Sequence, residues 1–431
     1  MSLRVIQQLQ SKGFKAYWVG GCVRDELLGR PVKDRDVVTD ALPEQVLRIF
    51  TGARRVGERF GVVLVRDGDA FTEVATFRRE GGYSDGRRPD KVSYTNDPKQ
   101  DAMRRDFTVN AMYYDPVSRE RLDFARGMVD LDSRLIRAVG AAEERFREDH
   151  LRMLRAVRLA ASLGFEIESG TMAGIRDNAP AIQGVAAERV RDELGRILTE
   201  GSPQRGFEVL HKSGLLEQLL PEVCALRGVE QPPQYHPEGD VWTHTMLMLE
   251  GMRKPSLTLA WGVLLHDIGK PDTFTNTDRI RFHGHVERGI QLAEAICKRL
   301  RFSNVETDRV TALVANHMRF AHVRDMRRSK LRAFVEQPHF DDHLELHRLD
   351  CISSHGRLDN HAFAAERCEQ FQAEEPFVPL LTGRDLIAAG YEPGPLFGKV
   401  LAEVRELQHE GALADREQAL AFAGERISVL S

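Results

Sequence analysis

Three groups of residues in this 431-residue chain have the types and spacing that chemistry requires. Gly20-Gly21 follows the apolar run Ala16–Val19 and precedes Cys22–Leu28, which has helical spacing. Two glycines at a strand-to-helix turn let backbone amides approach a phosphate, and Arg24 is spaced to add a charge-assisted bond. Thirteen positions after Gly21 comes Asp34-Arg35-Asp36-Val37-Val38. In a strand, the period of two would put both carboxylates on one face, about 6–7 Å apart. Like charges so close repel unless a divalent cation neutralises them, and Mg²⁺ is usually held by such oxygens with substrate phosphates completing its shell. Glu73, within Phe71–Phe77, offers a third carboxylate, either to complete a two-metal site or to accept the proton of an attacking hydroxyl.

The second group is histidine. Twelve of the fifteen histidines lie between His236 and His361. In order they give His244, His266-Asp267, His285, His317 and Asp350, with His283 as a competing candidate. Imidazole and carboxylate ligands from several helices suit one or two transition-metal ions (Ni²⁺, Co²⁺ or Mn²⁺), and a bridging water there could hydrolyse a phosphoester. The third group is Asp149, Arg152, Arg155 and Arg158, spaced every third residue. On one helix Asp149 and Arg152 would share a face while Arg158 drifts away. The plain alternative is a solvated salt bridge worth a few tenths of a kcal/mol.

The elements that must position these groups fall into distinct textures. Ala16–Val19, Val37–Val38, residues 61–65 and Phe71–Phe77 are expected strands, and Arg66-Asp67-Gly68-Asp69 is an expected hairpin turn. From Glu143 the apolar period becomes helical up to Gly164, and helical patterns return over Arg189–Leu198 and Phe207–Leu220. The Pro-rich segment Gln231–Pro237 reads as a linker, and Leu396–His409 as a late helix. Three glycines and a proline between Arg78 and Asp90 predict an irregular loop. The fold class expected is α+β, with a small mixed-sheet head (1–140), a helical neck (141–230), a metal-binding helical domain (236–365) and a helical tail (375–431).

Composition narrows the function classes. With 42% hydrophobic and 29% charged residues the chain is an ordinary globular protein, not a disordered one. Its longest apolar stretch, Leu257–Leu265, is far short of the ~18 residues of a spanning helix, and no secretory leader pattern opens it. Five cysteines without a CxxC pair point to a reducing cytoplasm. A net charge of −4 makes any nucleic-acid contact a matter of local patches, and residues 401–431 hold no basic tail.

Gly20-Gly21, Asp34-Arg35-Asp36, Arg104–Ala111 and Glu148–Arg152 occur in the order that resembles bacterial class II tRNA nucleotidyltransferases, the family of CCA-adding enzymes and related poly(A) polymerases. The resemblance implies that Asp34 and Asp36 bind catalytic Mg²⁺. It also implies that Arg105 and Asp106 contact the nucleotide, that Asp149 and Arg152 select its base, and that Arg155 lies nearby. An Asp/Arg pair suits that task, because cytosine and adenine both offer an amine beside an acceptor. The loop at 78–90 resembles the one this family needs for adding the final A. The histidine set resembles the HD phosphohydrolase superfamily. The expected activity is template-independent addition of C and A to tRNA from CTP and ATP, with added phosphohydrolase activity. A-only addition, poly(A) synthesis and a mainly hydrolytic role remain the alternatives, no DNA or membrane partner is expected, and the tail is expected to hold tRNA.

Overall fold

Short β-branched and aromatic runs supply the strands of the head: β1 (Ala16–Val19), β2 (Val37–Thr39), β3 (Arg54–Val56), β4 (Val62–Asp67), β5 (Ala70–Thr76), β6 (Arg78–Gly81), β7 (Lys91–Tyr94), β8 (Met112–Tyr114) and β9 (Arg121–Asp123). The computed structural model describes residues 2–32, 34–56, 61–68, 70–83, 86, 89–374 and 378–430. All these strands except β6 and β7 form one mixed sheet in the order β3-β4-β5-β2-β1-β8-β9. Within it β2 and β5 run parallel, and every other neighbouring pair is antiparallel. Val19, Val38, Phe77, Ala102, Ala111, Tyr113 and Val139 pack as one buried cluster in the head. Each fully buried Val or Phe there contributes about 1.5–3 kcal/mol.

Four sequence expectations need correction. β2 starts at Val37, so Asp34 and Asp36 precede the strand and do not share a strand face. Aspartate is a poor strand former, and regular β geometry begins only at the Val-Val pair. The segment at 78–90 is not irregular throughout, because β6 pairs with β7 from Arg78↔Tyr94 to Gly81↔Lys91. Glu80 ties this ribbon down by pairing with Arg78 and Arg104. Asp149 is not helical: the helix Ala142–Glu148 ends there in extended backbone, and a new helix runs Leu151–Leu163 to a left-handed cap at Gly164. Phe207–Leu220 is two helices, Pro203–Lys212 and Leu215–Leu219, separated where Gly214 takes φ +77°. Asp69 of the expected turn, Ser84, Asp85, Arg87 and Arg88 of the loop, and residues 375–377 of the tail lie outside the described residues.

The chain forms two compact units, Met1–Gly228 with Glu294–Thr307, and Val229–Ala293 with Asp308–Ser431. In the first, the helix Leu151–Leu163 buries Leu151, Met153, Leu154, Ala156, Val157 and Ala160, the spacing of a helix covered on most sides. In the second, the helix Leu257–Leu265 is buried from Thr258 to Leu265 and carries His266-Asp267 at its end. Leu381, Leu386, Val400, Val404, Ala419 and Ala423 form a separate small cluster near the C-terminus. Among the described residues no helix is long and apolar enough to cross a membrane.

Candidate active site and metal centre

In the head, Gly20 carries the chain from β1 into the helix Gly21–Leu27 with φ +79°, a conformation open mainly to glycine. Arg24 is buried and already engaged. Its Nη1 donates to Asn110 Oδ1 at 2.6 Å and its Nε to Asp25 Oδ1 at 2.9 Å, which braces the turn. The parallel register Val37↔Val74 brings Asp36, the residue before β2, near enough to Glu73 of β5 for the two carboxylates to repel. Burial raises the Asp36 pKa, repulsion from Glu73 and Asp34 adds to it, and Arg105 opposes it. A cation would relieve that penalty. Among the described residues, four groups bring three ligand atoms within 4.8 Å of one another, and none includes Asp34, Asp36 or Glu73.

A cavity of about 250 Å³ opens in the same unit, lined by Arg105, Asp106, Asp149, Arg152 and Arg155 among others. Arg105 reaches Asp101 and the Tyr113 hydroxyl at 3.3 Å each. The buried Asp101 carboxyl would be raised by desolvation, but Arg105 and Arg104 hold it down at about 2. Asp106 receives Arg155 Nη2 at 2.7 Å, and Arg155 and Arg152 keep it ionised against burial. Arg152 is clamped by Glu148. Asp149 is held by Arg189, whose Nη2 and Nη1 donate to its two oxygens at 3.0 and 3.4 Å. Arg158 does not join the cavity and pairs instead with Glu193 at 2.7 Å. Sequence alone assigns Arg189, Glu148, Glu80 and Tyr83 no individual role in this site.

In the second unit the histidines converge from separate elements. His244 lies on Val241–Gly251, His266-Asp267 follows Leu257–Leu265, His285 opens His285–Arg299, His317 opens the 3₁₀ turn His317–Asp325, and Asp350 lies on Phe340–Ser353. His285 and His317 Nε2 are 3.4 Å apart and stand 3.8 and 3.6 Å from Asp267 Oδ1. Every imidazole turns Nδ1 outward: to Glu238 Oε1 (His244, 2.7 Å), Val263 O (His266, 2.8 Å), Phe282 O (His285, 2.9 Å) and Val314 O (His317, 2.7 Å). Outer bonds of this kind fix the tautomer and aim an Nε2 lone pair inward. Among the described residues, the buried Nε2 atoms of His244 and His266 make no hydrogen bond, although Asp350 and Asp267 stand 3.2 and 3.1 Å away. Burial lowers the His244 pKa, but Asp350 and Glu238 outweigh it and push it up to about 9, a charge that a bound cation would replace. His283 is exposed on the rim of the cavity of about 890 Å³ above these groups. Glu238 and Lys270, whose Nζ meets Asp267 Oδ2 at 2.6 Å, were missed. A carboxylate six residues before His244 was the available signal for Glu238.

Three family models match the chain: the poly A polymerase head domain over 16–137, the probable RNA and SrmB-binding site of polymerase A over 164–226, and the HD domain over 239–338. The CCA-adding enzyme of Limosilactobacillus fermentum is 32% identical over 423 residues, spanning 98% of this chain and 95% of that one. The chain belongs to the CCA-adding enzyme family. The CCA-adding enzyme of Lactiplantibacillus plantarum is 40% identical over 246 residues, 56% of this chain and 60% of its own length. The crystal structure of the Bacillus stearothermophilus CCA-adding enzyme in complex with CTP has a TM-score of 0.74 at 26% identity, covering 100% of this chain and 97% of that one. CCA-adding enzymes are tRNA nucleotidyltransferases, and membership favours that activity over a poly(A) polymerase or a mainly hydrolytic protein. The nucleotidyltransferase and HD families generally use divalent metals, and this chain carries groups able to hold them.

Proposed function

We propose that this chain adds C and A to the 3′ end of tRNA from CTP and ATP, using Mg²⁺ held by Asp34 and Asp36. The observation that carries this reading is the acidic trio in the same unit as a cavity lined by Asp106, Asp149 and three arginines. The tRNA 3′-oxygen attacks the α-phosphorus, and the bond to pyrophosphate breaks. A divalent cation at Asp34 and Asp36 would lower the hydroxyl's pKa and stabilise charge on the leaving oxygen. Glu73 takes either the hydroxyl's proton or a further place on the cation. Arg105 and Asp106 hold the nucleotide, Asp106 at its ribose, while Asp149 and Arg152 meet the Watson–Crick edge. Arg155 keeps Asp106 charged, Gly20-Gly21 let backbone amides approach the triphosphate, and the neck and tail helices grip tRNA by shape and phosphate contacts. The Oε1 atom of Glu238 and the four outward-bonded imidazoles favour a second reading for the other unit: His244, His266, Asp267, His285, His317 and Asp350 hold Ni²⁺, Co²⁺ or Mn²⁺ for phosphoester hydrolysis. A cytoplasmic location fits both.

The deciding assay offers CTP, ATP or both to tRNA transcripts ending before the tail, after C and after CC. The parent protein should complete all three. Asp34→Ala with Asp36→Ala should leave no detectable incorporation at unchanged melting temperature, and retained incorporation would refute the assignment.

A further inference from the structure

The neck carries a cluster of donor atoms that neither reading uses. Three consecutive helices, Pro203–Lys212, Leu215–Leu219 and Pro221–Cys224, meet at turns centred on Gly214 and Leu220. The turns bring His211, Glu217 and Cys224 together, with one ligand atom from each all within 4.8 Å of one another. His211 Nδ1 stands 2.7 Å from Glu217 Oε1, and the Cys224 thiol bonds to the same carboxylate. The His211 and Glu217 side chains are 32% and 41% exposed, so the group opens to water on one side. Burial, reinforced by Glu217, pushes the Cys224 thiol up to about 12.

We propose that His211, Glu217 and Cys224 bind one divalent transition ion of the zinc class, with solvent in the fourth place. The donor set decides the class. A thiolate beside an imidazole and a carboxylate suits Zn²⁺ or Co²⁺, whereas Mg²⁺ and Ca²⁺ take oxygen ligands. Tetrahedral bonds of about 2.0–2.3 Å put ligand atoms roughly 3.3–3.8 Å apart, so the His211–Glu217 pair, now at 2.7 Å, opens as an ion enters between them. The thiol proton leaves to solvent as the metal–sulfur bond forms, and occupancy therefore rises with pH. Helices of five and four residues have little stability of their own, and an ion here ties both to the helix before them. This centre shares no residue with the histidine centre, and its thiolate distinguishes it spectroscopically.

Full-length protein carrying His266→Ala and Asp267→Ala is the material for the test, titrated with Co²⁺. One equivalent should bind with a near-ultraviolet sulfur-to-cobalt charge-transfer band that grows with pH and is displaced by Zn²⁺. Further substitution of Cys224→Ser should abolish the band while the metal-free melting temperature stays near that of the parent. If Cys224→Ser unfolds the protein, His211→Gln carries the same comparison through a weakened band and lost equivalence. A band that survives Cys224→Ser, or Co²⁺ uptake with no such band, overturns the proposal.

Discussion

Asp149 sits between two helices in extended backbone, and its direction therefore depends on what holds it. Arg189 does so through both carboxylate oxygens, and both side chains are mostly buried. Hydrogen bonds to charged groups are worth about 1.5–3 kcal/mol, so losing them would free the carboxylate from the pose in which we propose it meets an amine. Arg189→Ala should lower the ratio of CTP to UTP incorporation by roughly tenfold or more, measured as kcat/KM on tRNA lacking the tail. An unchanged ratio would mean that Asp149 does not read the base. The contrast with Asp34-Arg35-Asp36 explains what a sequence displays. The acidic pair is legible because its members are neighbours in a short motif, although the strand meant to carry them starts only at Val37, after both. Arg189 is illegible because it lies 40 residues from its partner in a helix with unremarkable spacing. Arg158 shares the helix Leu151–Leu163 with Arg152 and Arg155, and the drift of a three-residue step takes it out of the cavity to Glu193.

Between elements, close approach replaces charge as the deciding quantity. A Cβ on Gly269 would stand 2.2 Å from His285 O and 2.6 Å from Gly289 N, both main-chain atoms that cannot swing aside. The turn after His266-Asp267 therefore meets the start of the His285–Arg299 helix backbone to backbone. Gly269→Ala should destabilise this unit by about 1–3 kcal/mol, read as an early denaturation transition and weakened metal retention, whereas Gly398→Ala tests a position in the helix Pro395–His409 where an added Cβ meets nothing within 4 Å. Equal effects from both would discount the contact. Helix existence was legible in the neck, where the apolar period from Glu143 runs to the stop at Gly164. The packing partner was not, because a glycine needed for contact looks in sequence like one needed for a turn.

At the scale of the whole molecule, two compact units with buried clusters of their own predict two cooperative unfolding steps. In calorimetry without nucleotide, Mn²⁺ at about 100 times its Kd should stabilise only the histidine-bearing unit, by roughly 2.7 kcal/mol, and His266→Ala should erase that shift. The same variant should lose hydrolysis of 2′,3′-cyclic phosphates, and a shift that survives His266→Ala would sink the metal assignment. The chain's route between the units also matters. It leaves the first after Gly228, returns for Glu294–Thr307, and leaves again. Arg299 in that returning stretch bonds Glu222 and the Leu219 carbonyl. A gene cut short after Gly228 would thus not yield a minimal transferase but one missing a brace supplied from downstream. Dissecting this protein calls for an internal excision bridging 228 to 294, with a stop after 307, rather than a simple truncation.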